Sequence, residues 1–280
     1  VDAEGKVHQP LNPDRITSWE ACGVTDDFVW TNEDLKTFQG VYQGNHHVIS
    51  GALFCGSSAG LISSLEGAIV NLRMEHCASI AKTLCQAIVV GESSGTVSNC
   101  SVSDSIVVSA DTNAYTGAIV GLAKLNSVIS YNTSENNRIM NDGNAAGGIV
   151  GQSDVSVRDC LVNGGDVSGE ESTGGIVGTV TNSAEGICIH GCQSSANISG
   201  KYHIGGICGY YVQYTFIEPS GPLTISECTN RGNLTERAVS DYGLKQYLGG
   251  IMGDAQGAVT ITKCHNSGDV LSDQETCNAS

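Results

Sequence analysis

Charge, aromatic side chains and proline are all scarce in this sequence. Of its 280 residues only 15% are charged and 5% aromatic, with four prolines and three methionines. Helical bundles of this length draw on many Leu, Lys and Glu. This chain uses Val, Ile, Ser, Thr and Asn with 36 glycines, so the class is all-β. So few aromatics exclude a thick interior, and 40% apolar residues suit a thin, ladder-like one. No run of 18 apolar residues is present, so no segment reads as a membrane-inserted helix. Basic stripes are also missing. Thirteen Lys and Arg against 29 Asp and Glu give a net charge of −16, spread along the chain. That balance argues against nucleic acid as a partner, and against anionic polysaccharide or membrane for the same reason. It suits a soluble extracellular protein. No basic-plus-apolar leader opens the chain and no evident cap closes Ser272–Ser280. The expectation is a segment of a longer polypeptide, with any signal, anchor or further domains outside it.

What the sequence does hold is a repeat. A five-residue box recurs as Gly117–Gly121 (GAIVG), Gly147–Gly151 (GGIVG), Gly174–Gly178 (GGIVG), Gly205–Gly209 (GGICG) and Gly249–Gly253 (GGIMG). Ala87–Gly91 and Gly60–Ser63 are weaker copies. The closing glycines Gly91, Gly121, Gly151, Gly178, Gly209 and Gly253 are spaced by 30, 30, 27, 31 and 44 residues. A second landmark is a β-branched residue followed three positions on by Cys: Val97/Cys100, Val157/Cys160, Ile189/Cys192, Ile225/Cys228 and Ile261/Cys264. Tyr131 after Val128, and Leu72 after Ile69, are the expected occupants of that slot in the other copies, which makes it apolar. A third landmark, Asn-x-Gly-x-Val/Leu, runs over Asn163–Val167, Asn230–Leu234 and Asn266–Val270.

Three apolar segments with Gly, Asn and Ser turns in about 30 residues predict a right-handed parallel β-helix with three strands per coil. One coil is too thin to bury its own inner face. It gains a core by stacking on neighbours about 4.8 Å away. Like residues should then form columns, with Ile119, Ile149, Ile176, Ile207 and Ile251 in one and the cysteines in another. The box glycines are expected at corners that need positive φ or close backbone approach.

The boxes resemble the GLUG motif family, whose repeats occur in large bacterial surface proteins, including adhesin-like proteins and the non-catalytic parts of IgA-peptidase-like proteins. Phe38–Gly51, with its Gly44-Asn-His-His-Val-Ile-Ser-Gly51, is similar to the lead-in of such repeats. The resemblance covers about residues 38 to 271. It implies the fold and a surface or secreted bacterial setting, and carries no catalytic residues to transfer. Residues 1–37 fall outside the repeat, and with Trp19, Phe28 and Trp30 they are expected to cap the first coil.

Twelve cysteines in an extracellular chain ordinarily suggest disulfides. Five recur at the inward slot, where they read as small buried hydrophobes with free thiols. Side chains stacked in parallel point alike rather than toward each other. Any disulfide is therefore expected among Cys22, Cys55, Cys77, Cys85, Cys188, Cys208 and Cys277. Cys188-Ile-His190-Gly-Cys192 has the residue types of a zinc site, but a strand there turns Cys188 and His190 outward and Cys192 inward, so the ligands diverge. His46 and His47 occupy a turn. Asp104, Asp111, Asp166 and Asp269 make no calcium repeat. Neither a metal nor a cofactor is expected.

An enzymatic reading would need paired carboxylates or a basic residue beside a cation site. Arg158, Lys201, Arg231, Lys245 and Lys263 form no line, and no nucleophile motif is present. The chain therefore reads as a non-enzyme. Its binding site is expected where the repeat breaks, in the long interval from Gly209 to Gly253. The excess falls at 210–222 and 236–247, and six of the nine tyrosines lie there or just before. Tyr202, Tyr210, Tyr211, Tyr214, Tyr242 and Tyr247, with Glu218, Asp241 and Lys245, are the candidate ligand contacts, since tyrosines on loops stack on sugars or anchor proteins with little entropy lost. A host glycan or a host or matrix protein is the expected partner. The alternatives are a passive spacer and a polysaccharide lyase or glycoside hydrolase.

Overall fold

The structure, a computed structural model, describes residues 37–45, 47–56, 59–181, 186–213, 221–237 and 245–272. Among them every regular element is a β-strand. One coil runs through Thr96–Ser98, Ser101–Ser103, Ile106–Ser109, Tyr115–Gly117 and Val120–Ala123, and the next strand, Val128–Ser130, lies parallel on Thr96–Ser98. Repetition builds five parallel sheets, numbered here in the order the coil visits them, of eight, eight, eight, six and seven strands. The fold is a parallel β-helix, but each coil has five short strands rather than three. The reason is that each sequence landmark spans a corner. The box, for example, ends the fourth strand at Gly117 and starts the fifth at Val120. The conspicuous residues mark bends, and the polar Ser/Thr strands between them carry no apolar signal.

The isoleucine column is present. The N–H of Ile119 donates to the carbonyl of Ile149, Ile149 to Ile176, Ile176 to Ile207 and Ile207 to Ile251, at 2.8–3.1 Å. The first four are fully buried and Ile251, in the last coil, is half-buried. None of the glycines in the five full boxes has a positive φ, so close approach alone requires them, whereas Gly60 of the weaker copy has φ of 146°. A Cβ on Gly174 would stand 1.9 Å from the Val177 carbonyl oxygen and 2.8 Å from the Gly209 nitrogen.

Left-handed backbone is carried elsewhere. At the corner between the first and second sheets, Asn71, Asn99, Tyr131, Asp159, Gly191, Glu227 and Lys263 share φ of 52° to 66°. Asn, Asp and Gly take this conformation readily, and the others accept it because the stacked coils over-determine the corner. The next residue always turns inward: Leu72, Cys100, Asn132, Cys160, Cys192, Cys228, Cys264. Cysteine suits the slot because it is small and its S–H donates to the carbonyl two residues back. Cys100 Sγ lies 3.4 Å from Ser98 O, Cys192 Sγ 3.4 Å from His190 O and Cys228 Sγ 3.3 Å from Ser226 O.

Tyr131 is therefore not the slot residue. It is the left-handed corner itself and is 61% exposed, because Ile129 rather than Val128 is in register with Val97. Asn132 fills the slot, fully buried. Its Oδ1 accepts from Cys100 N at 3.0 Å and its Nδ2 donates to Val97 O at 2.9 Å. The next corner repeats the device. His76, Asp104 and Asn136 are left-handed there, and Cys77, Ser105 and Asn137 follow them inward. Cys77 thus belongs to a second ladder and is no outlier. Asn163 also departs from its expected place. Asn230 and Asn266 are in register with Ser194 and Val162, while Gly164 and Gly165 take the corner beyond Asn163. All ten cysteines among the described residues are free, so Cys55, Cys77, Cys85, Cys188 and Cys208 form no disulfide, while Cys22 and Cys277 lie outside those residues.

Asn132→Ala removes the acceptor of a buried N–H and is expected to destabilise the fold by about 1–3 kcal/mol. Gly174→Ala forces a side chain against backbone and is expected to do so by about 1–3 kcal/mol or more. Denaturant melts of both variants against an exposed control, Leu161→Ala, check the two figures.

Candidate functional site

Sheets four and five meet at the box, and residues on their outer faces look toward each other across it. On the fourth sheet Ser172, His203 and Tyr247 lie in register; on the fifth, Thr179, Tyr210 and Asp254 do. Ile204, beside His203, points into the core and is fully buried, so His203 is on the outer side. The facing columns nonetheless shield one another, leaving Ser172 buried and His203, Tyr210, Tyr247 and Asp254 half-buried.

Three rings gather here. The His203 imidazole stacks on Tyr210 with centroids 4.3 Å apart and planes at 14°, and on Tyr247 at 5.5 Å and 8°. Asp254 Oδ2 is 3.4 Å from His203 Nδ1. Burial pushes the His203 pKa down, opposed by the Asp254 carboxylate, which pulls it up. Burial prevails, so the neutral imidazole is the form held between the tyrosines at neutral pH.

Beside the rings, the roots of the second insertion are tied to the coil. Gln246 Nε2 donates to the carbonyls of Lys201 at 2.9 Å and Arg237 at 3.2 Å, the Tyr247 N–H donates to Tyr202 O at 2.6 Å, and Arg237 and Lys201 both pair with Glu170. Tyr202 is half-buried and Lys245 is exposed. The structure thus brings Tyr210 and Tyr247 together on His203, while Tyr202 meets Tyr247 through its backbone carbonyl alone and Lys245 is nearby in sequence. Tyr214, Glu218, Asp241 and Tyr242 lie outside the described residues.

Tyr211 requires correction. It is fully buried and its hydroxyl donates to Gly221 O at 2.9 Å, pinning the chain where the first insertion returns. Simple alternation from the buried Cys208 would send Tyr210 inward. The strand kinks at Gly209, however, so inward positions fall three apart, as in Val177 and Val180 one coil earlier. Tyr210 and Tyr211 also belong to the strand Cys208–Val212, and Tyr247 to Tyr247–Gly249, so the insertions are shorter than 210–222 and 236–247. His203 and Asp254 were missed by sequence reasoning. Their signal was available in the box spacing, because His203 and Asp254 flank aligned boxes at the positions of Tyr247 and Tyr210.

A second polar group lies on the outer face of the first sheet. His190 Nδ1 is 3.0 Å from Ser226 Oγ and its Nε2 is 3.9 Å from Glu227, whose carboxyl Lys263 holds below the usual carboxylate range from 3.0 Å. These are the residue types of a serine nucleophile and its base. The adjacent N–H groups of Gly191 and Glu227 already donate to Ser226 O and Thr262 O, so neither is aimed at an oxyanion. Among the described residues no three His, Cys, Asp or Glu side chains converge as metal ligands. The buried thiols are poor nucleophiles, since burial pushes Cys100 up to about 11 and Cys208 up to about 12.

The fold defines the chain as a parallel β-helix protein. No protein-family model and no curated protein matches it, so the GLUG resemblance rests on the repeat pattern alone. A solved structure, described as "a putative immunoglobulin A1 protease from Bacteroides ovatus", is similar over 78% of this chain and 68% of that one. At a TM-score of 0.50 and 18% identity the likeness is one of fold.

Titration of the His203 imidazole by NMR is expected to give a midpoint below its ordinary 6.5. With the folded value below the unfolded one, the unfolded chain binds the proton first. This contribution to stability is therefore present above pH ~6.5 and is lost as pH falls toward the folded midpoint. A midpoint above 6.5 would contradict the buried, neutral ring.

Proposed function

We propose that this chain is a non-catalytic recognition module of a bacterial cell-surface or secreted protein, with Tyr202, Tyr210 and Tyr247 as the described part of its ligand contact. The observation that supports the reading is the stacking of Tyr210 and Tyr247 on His203 beside the roots of both insertions, with Tyr202 next to His203 in the chain. A rigid ladder positions aromatic faces there at little entropic cost. Lys245, and from the sequence Tyr214, Glu218, Asp241 and Tyr242, extend the proposed contact with polar groups that give direction. A host glycan or a host or matrix protein is the proposed ligand. The acidic charge supports an extracellular or surface location, and the fold neighbour, named for immunoglobulin A1, is in keeping with it.

Screening the chain against a glycan array and immobilised matrix proteins tests this. Tyr247→Ala and Tyr210→Ala are each expected to weaken the best ligand about tenfold, ~1.4 kcal/mol, with the cooperative melt retained. Tyr211→Phe is expected to lower stability by about 1 kcal/mol and leave binding unchanged. Absence of binding across both panels favours a passive spacer, and release of reducing or unsaturated sugar from polysaccharides would overturn the non-catalytic reading.

A further inference from the structure

Outside the first and last described coils five large apolar side chains are exposed, and four of them fall together: Leu125, Val128, Tyr131 and Leu161. Val128 belongs to the fourth of the eight strands of the first sheet, so described coils continue in both directions from it and the exposure is not that of an end. Val128 lies on the outer face of the first sheet, Tyr131 on the corner, and Leu161 on the outer face of the second sheet one coil on, in register with Thr133. Tyr131 holds a left-handed backbone that a bulky side chain does not favour. Its neighbours in the corner column, Asn99 one coil before and Asp159 one coil after, take that conformation readily. Their alignment is fixed by the backbone, since Asn99 N donates to Ser130 O and Tyr131 N to Arg158 O at 3.1–3.2 Å.

A ring that costs backbone strain and leaves most of its surface in water adds little to the core. What it supplies is an aromatic plate with an amide on one neighbouring coil and a carboxylate on the other, each about 4.8 Å along the axis, and with the exposed Arg158 guanidinium next to the carboxylate in the chain. The chemistry of that plate selects its occupant. The corner is convex and offers no pocket to an apolar side chain of a protein partner. A second copy would meet it with the same net charge of −16. A pyranose fits, because one face is made of C–H groups that pack on an aromatic ring and its rim is made of hydroxyls that both donate and accept. The Asp159 carboxylate accepts from one hydroxyl and the Arg158 guanidinium donates to another. Asn99, whose nitrogen donates to Asn71 Oδ1 at 2.5 Å, accepts through its oxygen. Arg158 and Asp159 carry opposite charges side by side, which favours a neutral sugar over an anionic one. Val128 and Leu161 widen the platform for the C–H faces of adjoining sugar residues.

We infer that Tyr131, with Asn99, Arg158 and Asp159, forms a platform for a neutral pyranose chain. It lies at a different corner of the coil from His203, Tyr210 and Tyr247 and does not rest on the reading of that region.

The test titrates the full chain with cellohexaose, chitohexaose and mannohexaose as neutral probes and hexagalacturonate as the charged one, read by ligand-observed NMR. At least one neutral probe is expected to bind, and more tightly than hexagalacturonate. Tyr131→Asn, which gives the corner the residue type of Asn71 and Asn99, is expected to weaken that probe about tenfold while the melting temperature holds or rises. Tyr131→Phe keeps the ring and is expected to keep the binding, and Tyr247→Ala is expected to leave it unchanged. Silence from all three neutral probes, a tighter hold on hexagalacturonate, unchanged binding in Tyr131→Asn or a lower melting temperature there would each overturn the platform. Binding lost in Tyr247→Ala and kept in Tyr131→Asn belongs to the other corner, and overturns the platform while leaving the earlier reading in place.

Discussion

The structure depends on one local device repeated on coil after coil: a left-handed corner residue followed by a side chain that turns inward. Because the corner turns the chain from the first sheet into the second at a single residue, the next side chain lands directly above its counterpart. Parallel ladders then extend from that fixed point in both directions. Cysteine, asparagine and leucine fill the slot at the first corner, and cysteine, serine and asparagine fill it at the second. Cys100 donates its thiol to Ser98 O, Ser105 its hydroxyl to Ser103 O, and Asn132 reaches the carbonyl of Val97 one coil below. Most occupants are compact donors, and Leu72 shows that a purely apolar side chain also fits.

The box solves the opposite problem. At this corner two strands of one coil are brought so close that no Cβ fits between them, and glycine is needed for space rather than for torsion. This tight junction folds the outer faces of sheets four and five toward each other. The result is a sheltered notch on an otherwise flat ladder. Where its residues are small, as at Ala145 and Ser172, the notch closes on itself. Where they are large, it becomes the stacked set of His203, Tyr210 and Tyr247.

That arrangement explains how a regular repeat can carry a specific surface. Every coil is held by backbone pairing and inward columns, so outward residues are released from structural duty except where the notch buries them. The two long insertions leave the ladder next to the place where His203, Tyr210 and Tyr247 stack in the notch, and Tyr211 and Gln246 fasten their roots. Rigidity at the base and variation at the rim are the physical basis for reading this region as a recognition surface.

Composition and spacing alone determined the all-β class, the stacked coils, the isoleucine column and the inward cysteines, because parallel stacking writes the same side-chain requirement into the sequence at each turn. Only the tertiary structure decided that a coil has five strands, that Asn132 and not Tyr131 fills the slot, that Tyr211 is core while Tyr210 is surface, and that His203 joins two tyrosines. The reason is that inside and outside are assigned by register. A left-handed corner or a glycine kink shifts that register by one residue, and in a single sequence such a shift is invisible until the neighbouring coil is in place.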